Sequence, residues 1–248
     1  MRLLRFGPSS ENDPFVLWIH GLGESSACFE SIVEKLPGYR HLLLDLPGYG
    51  KAERHAPYSL KEAAEMVAQV LREQGGGFVV GHSMGGVIGI FLAQAYPKLV
   101  RGFVNVDGNV SPGDCGYSLP ISRQSEEEFV GRGHGALVES LRLRGGTDLA
   151  HAGYAQSMEL AQPSVVYGHS LELVEYSASL SLARQMADLV VPNIYLAGVP
   201  EGAAEASLAL LAEAGVRLFK VGPSGHWPFI DQPQQVAEVV LDFFGGIA

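Results

Sequence analysis

From Gln74 to Pro97 the chain carries no charged residue. A stretch of that length without charge invites comparison with a membrane span, but repeated glycines, His82 and the closing Pro97 break it. Its two halves also differ in period. Phe78-Val79-Val80 is a short apolar run suited to a strand buried on both faces, Gly81 to Gly86 is a tight turn, and Val87 to Tyr96 has the length of a buried helix. A strand hidden on both sides needs parallel neighbours and helices over each face, so this segment alone points to an α/β architecture.

The rest of the chain repeats the pattern. Phe15 to Ile19 and His41 to Asp45 are further continuous apolar strands, and Leu99 to Val106, Asn193 to Ala197 and Val216 to Val221 follow. Helices are expected from Ser26 to Leu36, from a cap at Ser59 to about Gln74, from Ala203 to Ala214 and from Pro233 to Phe244. Alternation of this kind predicts a mostly parallel central sheet flanked by helices, with right-handed crossovers. After Asp107 the rhythm stops. Helical patterns fill Glu126 to Arg144, Asp148 to Leu160 and Val165 to Ala178, with no strand among them. Residues 1–107 and 188–248 therefore form the expected core domain, and 108–187 a helical cap, or lid, rooted at the carboxyl edge of the sheet where open α/β folds bind ligands.

Chemistry concentrates at that edge. Gly81-His82-Ser83-Met84-Gly85 has the pattern G-x-S-x-G between a strand and a helix, which presents Ser83 as a nucleophile at a helix amino terminus. A serine needs a base, and the base an orienting acid. His226, in the loop after the last strand, is the expected base. Two acids qualify. Asp107 ends the strand after the elbow helix and is followed by Gly108-Asn109; Glu201 follows the next core strand in a loop rich in glycine and alanine. The shorter, turn-bound Asp107 is preferred, with Glu201 as the alternative. The backbone N–H groups of Leu22 and Met84 are the expected oxyanion hole. His20, Gly21, His82, Trp227 and Phe229 are expected around the substrate, although His20 and His82 also suit structural hydrogen bonds inside their turns. His41, His55, His134, His151 and His169 show no metal-ligand spacing, and no metal or cofactor is expected.

His20-Gly21-Leu22-Gly23, Asp45-Leu46-Pro47-Gly48-Tyr49-Gly50, Gly81-His82-Ser83-Met84-Gly85-Gly86 and Gly225-His226-Trp227 together resemble the α/β-hydrolase fold superfamily, in order and over nearly the whole chain. The resemblance implies a Ser-His-acid triad, an oxyanion donor in the first motif, and a helical cap inserted after the family's sixth strand. Two departures stand out. The segment before Phe15 is short for the family's leading antiparallel strands, and the usual aspartate after the seventh strand is at best Glu201, whereas some members carry the acid where Asp107 lies.

The activity expected is hydrolysis of an ester or related acyl bond of a small to medium hydrophobic compound through an acyl-enzyme. Carboxylesterase comes first; thioesterase, lactonase and C–C bond hydrolase are alternatives, and a non-hydrolytic ligand receptor is the alternative from another class. Composition agrees with a globular protein acting on small molecules. With 47% hydrophobic and 18% charged residues the chain is not disordered, and a formal charge of −10 argues against nucleic acid or anionic membrane as partner. Only Leu3, Leu4 and Phe6 are apolar before Gly7-Pro8, too few for an export signal, and Cys28 and Cys115 make no disulfide framework. A cytoplasmic monomer or homodimer is expected.

Overall fold

The computed structural model describes residues 1–7 and 13–247. Seven strands form one sheet: β1 (Arg2–Phe6), β2 (Phe15–Ile19), β3 (Arg40–Asp45), β4 (Gly77–His82), β5 (Val100–Val106), β6 (Asn193–Pro200) and β7 (Leu218–Ser224). Their spatial order is β1-β3-β2-β4-β5-β6-β7, with β1 antiparallel to β3 and the remaining neighbours parallel. The central strands β2 and β4 are buried at every residue, as their unbroken apolar runs require.

Among the described residues one antiparallel strand leads the sheet, in the segment that is short for the family's leading strands. In β1, half-buried and exposed residues alternate, the mark of an edge strand covered on one face. Its Arg2 guanidinium lies 3.6 Å from the Asp45 carboxylate at the end of β3.

Twelve helices accompany the sheet among the described residues: α1 (Glu30–Val33), α2 (Leu60–Glu73), α3 (Met84–Ala95), α4 (Ser118–Ser122), α5 (Glu126–Glu128), α6 (His134–Gly145), α7 (Leu149–Leu160), α8 (Pro163–Ala178), α9 (Leu182–Ala187), α10 (Glu205–Ala214), α11 (Pro228–Asp231) and α12 (Pro233–Gly245). Ser59 and Glu62 form a reciprocal capping box at the start of α2. The helix expected from Ser26 is instead a 3₁₀ turn, Ser26–Phe29, followed by the single turn α1. Its first N–H donates to Asp45 Oδ1 at 2.7 Å, which ties the turn to the end of β3. Strand β7 starts two residues later than its apolar pattern suggests. Gly215, at φ 79°, closes α10 in the left-handed region, and Val216 N–H completes that cap on the Leu211 carbonyl.

Helices α4 to α9 all lie between β5 and β6. The preceding strand is fifth among the described residues, where one antiparallel strand leads the sheet. Asp114 anchors the root of the helical segment: its carboxylate accepts Val110 N–H (2.8 Å), Ser111 N–H (3.0 Å), Ala204 N–H (2.9 Å) and the Ser207 hydroxyl (2.6 Å). Farther along, Ser25 and Ser157 hydroxyls meet at 3.0 Å, and Tyr49 Oη lies 2.7 Å from His169 Nδ1. The helices are therefore bonded to the sheet's carboxyl edge at the root of the segment and again midway along it.

Candidate active site

The turn between β4 and α3 holds Ser83 at φ 52° and ψ −118°, a conformation that costs a non-glycine residue on the order of 1–3 kcal/mol. The neighbours make the turn possible. A Cβ on Gly81 would strike the Gly85 carbonyl, and one on Gly85 would strike the Ile19 carbonyl. Ser83 N–H donates to the Val106 carbonyl at 3.0 Å, pinning the elbow to the end of β5. The same strand ends in Asp107, which also has positive φ, at 45°. Among the described residues, two of the three non-glycine residues with positive φ are thus the expected nucleophile and the preferred acid.

Ser83 and His226 line one chamber, together with Leu22 and Trp227. They meet there as walls and not as a hydrogen-bonded pair. Its volume, about 20 Å³, is room for roughly one water molecule. The other walls come largely from the helical segment and its root, where Asn109, Tyr117, Tyr154 and Leu173 were not anticipated from sequence. Trp227 also lines two wider clefts, of about 690 and 560 Å³, so it separates the chamber from both.

Asp107 stands behind His226. Its Oδ1 accepts Gly198 N–H at 3.0 Å, while Oδ2 lies 3.8 Å from His226 Nδ1 and has no hydrogen-bond partner. Burial pushes this carboxyl well above its usual range, against the pull of the Gly198 N–H. Burial and the neighbouring His82 push the His226 imidazole down to about 3, although Glu24 pulls the other way. Glu201 is exposed; its N–H donates to the Ser224 carbonyl at 3.2 Å, and its side chain borders the larger cleft beside His226.

The remaining expected residues divide by depth. Leu22 reaches the chamber, and Met84 opens α3, while the Met84 side chain is fully buried with its sulfur 3.9 Å from Tyr49 Oη. His20 is buried: Leu46 N–H donates to its Nε2 at 3.2 Å, so Nδ1 carries the hydrogen that the Gly21 carbonyl accepts. Phe229 packs on Phe29, ring to ring at 5.1 Å. His20, Gly21, His82 and Phe229 therefore support the chamber from behind, and of that group Trp227 alone faces it. Sequence reasoning missed Glu24, which is buried between these residues. Flanked by Gly23 and two serines it reads as a solvated turn residue, and no periodicity marks it. Among the described residues no group of three or more His, Cys, Asp or Glu could hold a metal ion, and no helix is long and apolar enough to cross a membrane.

Residues 14–126 match the family model for the α/β hydrolase fold. An esterase from Thermogutta terrifontis superposes with a TM-score of 0.81 over 99% of this chain and 93% of that one, at 19% identity. The enol-lactonase of Burkholderia xenovorans gives 0.80 over 98% and 96%, also at 19%. This chain has the α/β-hydrolase fold. Among hydrolases similar in sequence, the pimeloyl-[acyl-carrier protein] methyl ester esterase of Yersinia enterocolitica is 26% identical over 98% of both chains.

Proposed function

We propose that the chain is a serine hydrolase that cleaves a carboxylic ester of a small to medium hydrophobic compound through an acyl-enzyme. The observation that carries this reading is the strained Ser83 facing a chamber shared with His226 and Leu22. The similarity to methyl ester esterases over nearly the full length favours an ester over the thioester, lactone and C–C alternatives.

In this mechanism His226 is neutral and takes the proton of Ser83 as the hydroxyl oxygen attacks the ester carbonyl. The oxyanion forms against the N–H groups of Leu22 and Met84. His226 then passes the proton to the departing alkoxide, so an alcohol leaves and Ser83 holds the acyl group. Water repeats the sequence: His226 takes its proton, hydroxide adds to the acyl carbon, and the proton returns to Ser83 as the carboxylic acid departs. Asp107 is assigned as the acid that orients His226 and stabilises its charged form. Residues 108–187 act as the cap, and their tyrosines set the acyl length that the site accepts. Cys28 and Cys115 are free thiols, which suits a cytoplasmic enzyme.

Hydrolysis of p-nitrophenyl esters from acetate to decanoate, with wild type beside Ser83→Ala, tests this assignment. Turnover is expected to fall by about 10⁴-fold or more in the variant, and the wild-type preference reads out the acyl length. Equal rates in the two proteins would end the serine mechanism.

A further inference from the structure

The mechanism above leaves Glu24 without a task, yet it is buried and both of its oxygens are engaged. Oε2 accepts Gly21 N–H at 2.6 Å and lies 2.9 Å from His82 Nδ1; Oε1 accepts the Trp227 indole N–H. His82 extends the chain, its Nε2 lying 2.8 Å from the His226 carbonyl oxygen. A carbonyl can only accept, so Nε2 donates to His226. His82 thus bridges Glu24 and the loop that carries His226. Burial by itself would raise the Glu24 carboxyl, but attraction to His82 and the hydrogen bonds from His82, Trp227 and Gly21 hold it down at about 2.

This pair reaches three separate loops. Gly21 belongs to the turn that carries Leu22, His82 precedes Ser83 on the elbow, and His226 and Trp227 sit in the loop after β7. We propose that Glu24 is a positioning residue which, through its bonds to Gly21, His82 and Trp227, sets the Leu22 N–H, Ser83 and His226 in register with one another. The proposal rests on the serine-hydrolase reading of the same site. Glutamine cannot take over the role. With its oxygen toward Gly21 and His82 its amide N–H₂ faces the Trp227 N–H, and with its oxygen toward Trp227 the N–H₂ faces the Gly21 N–H. Either orientation leaves a donor unpaired in the interior.

The test compares wild type, Glu24→Gln, His82→Asn and the double variant, with kcat expressed per site titrated by a fluorophosphonate, so that misfolded protein is not counted. Misplacement on the order of 1 Å costs about 10²-fold. Glu24→Gln is therefore expected to lose about 10²-fold in kcat with KM within about twofold, the split expected when only the transition state loses contacts. The double variant should fall no more than about threefold below either single one, because each cuts the same chain. If Glu24→Gln does not fold, His82→Asn severs the link to His226 and is held to the same kcat loss at constant KM. A kcat per titrated site within about threefold of wild type in the folded variants, or losses that multiply in the double, would overturn the proposal. Wild type that neither takes the label nor turns over an ester would instead overturn the serine-hydrolase reading itself.

Discussion

Two carboxylates serve the same edge of the sheet under opposite conditions. Glu24 and Asp107 are both buried, but Glu24 has every oxygen engaged and is held at about 2, whereas Asp107 has one oxygen satisfied, one bare, and its proton affinity raised by burial. Glu24 is bonded to Gly21, His82 and Trp227 before any substrate arrives. Asp107 faces a neutral imidazole at 3.8 Å, too far for a hydrogen bond. The difference separates what is pre-organised from what is completed during reaction. In the proposed mechanism the attraction between Asp107 and His226 becomes large only when His226 takes the Ser83 proton, so it belongs to the transition state and acts on kcat. Catalytic hydrogen bonds that are long in the free enzyme and tighten in the complex follow the same logic.

The largest effect that sharpens this contrast is expected from Asp107→Asn. Asparagine keeps an oxygen for the Gly198 N–H but cannot stabilise an imidazolium, and in a triad such a change costs about 10⁴-fold in kcat. Stability should move the other way or stay level, because a buried carboxyl whose charged form is penalised by burial gives way to a neutral amide of the same shape. Ester turnover and thermal melting of the same preparation check both halves. A large drop in melting temperature with activity intact would place Asp107 with Asp114, a carboxylate that holds the fold together.

The pH axis separates the two sides next. As the proposed base His226 must be neutral, and burial holds it down to about 3, so the acid limb of kcat/KM should lie below the ordinary histidine value of about 6.5. Stability has its own dependence. His20, His41, His169 and His226 are all held below their ordinary value by burial. Between those lowered values and about 6.5 the unfolded chain binds more protons than the folded one, so stability is lost as pH falls, by up to about 1.4 kcal/mol per pH unit for each group. Glu24 contributes later: its stabilisation is complete above about 4.3, its unfolded value, and disappears as pH falls toward about 2. Melting temperatures should therefore decline from pH 7 to pH 5 while activity per folded molecule persists. A melting temperature independent of pH over that interval would mean that the buried histidines do not stay neutral.

Much of the fold is legible in the sequence because buried parallel strands demand unbroken apolar runs, and those at Phe15, His41 and Phe78 admit few other interpretations. Edge strand β1 escapes that logic, since a strand covered on one face needs only alternation, and five residues give too few repeats to detect. At the site, the elbow is readable because its glycines are dictated by local backbone contacts. Glu24 is not, because its burial depends on Trp227 and His82, which lie far from it in sequence. The same holds for Tyr117 and Tyr154, whose place in the chamber is set by how the helices after β5 pack on Trp227, with ring centroids 6.3 and 5.3 Å from it.

The smallest effect is expected from Glu201→Gln, and it bears directly on which carboxylate partners His226. Glu201 follows the strand after which the family usually places its acid, but its side chain is exposed, whereas the Asp107 carboxylate lies against His226 Nδ1. An exposed carboxylate in high dielectric contributes little to a neighbouring charge, and surface substitutions of this kind stay within about 0.5 kcal/mol, or roughly twofold in rate. Steady-state kinetics on the preferred ester would read the change directly. A loss of several hundredfold would mean that the loop carrying Glu201 swings inward in the working enzyme, and that Asp107 is burdened with burial for reasons of structure alone.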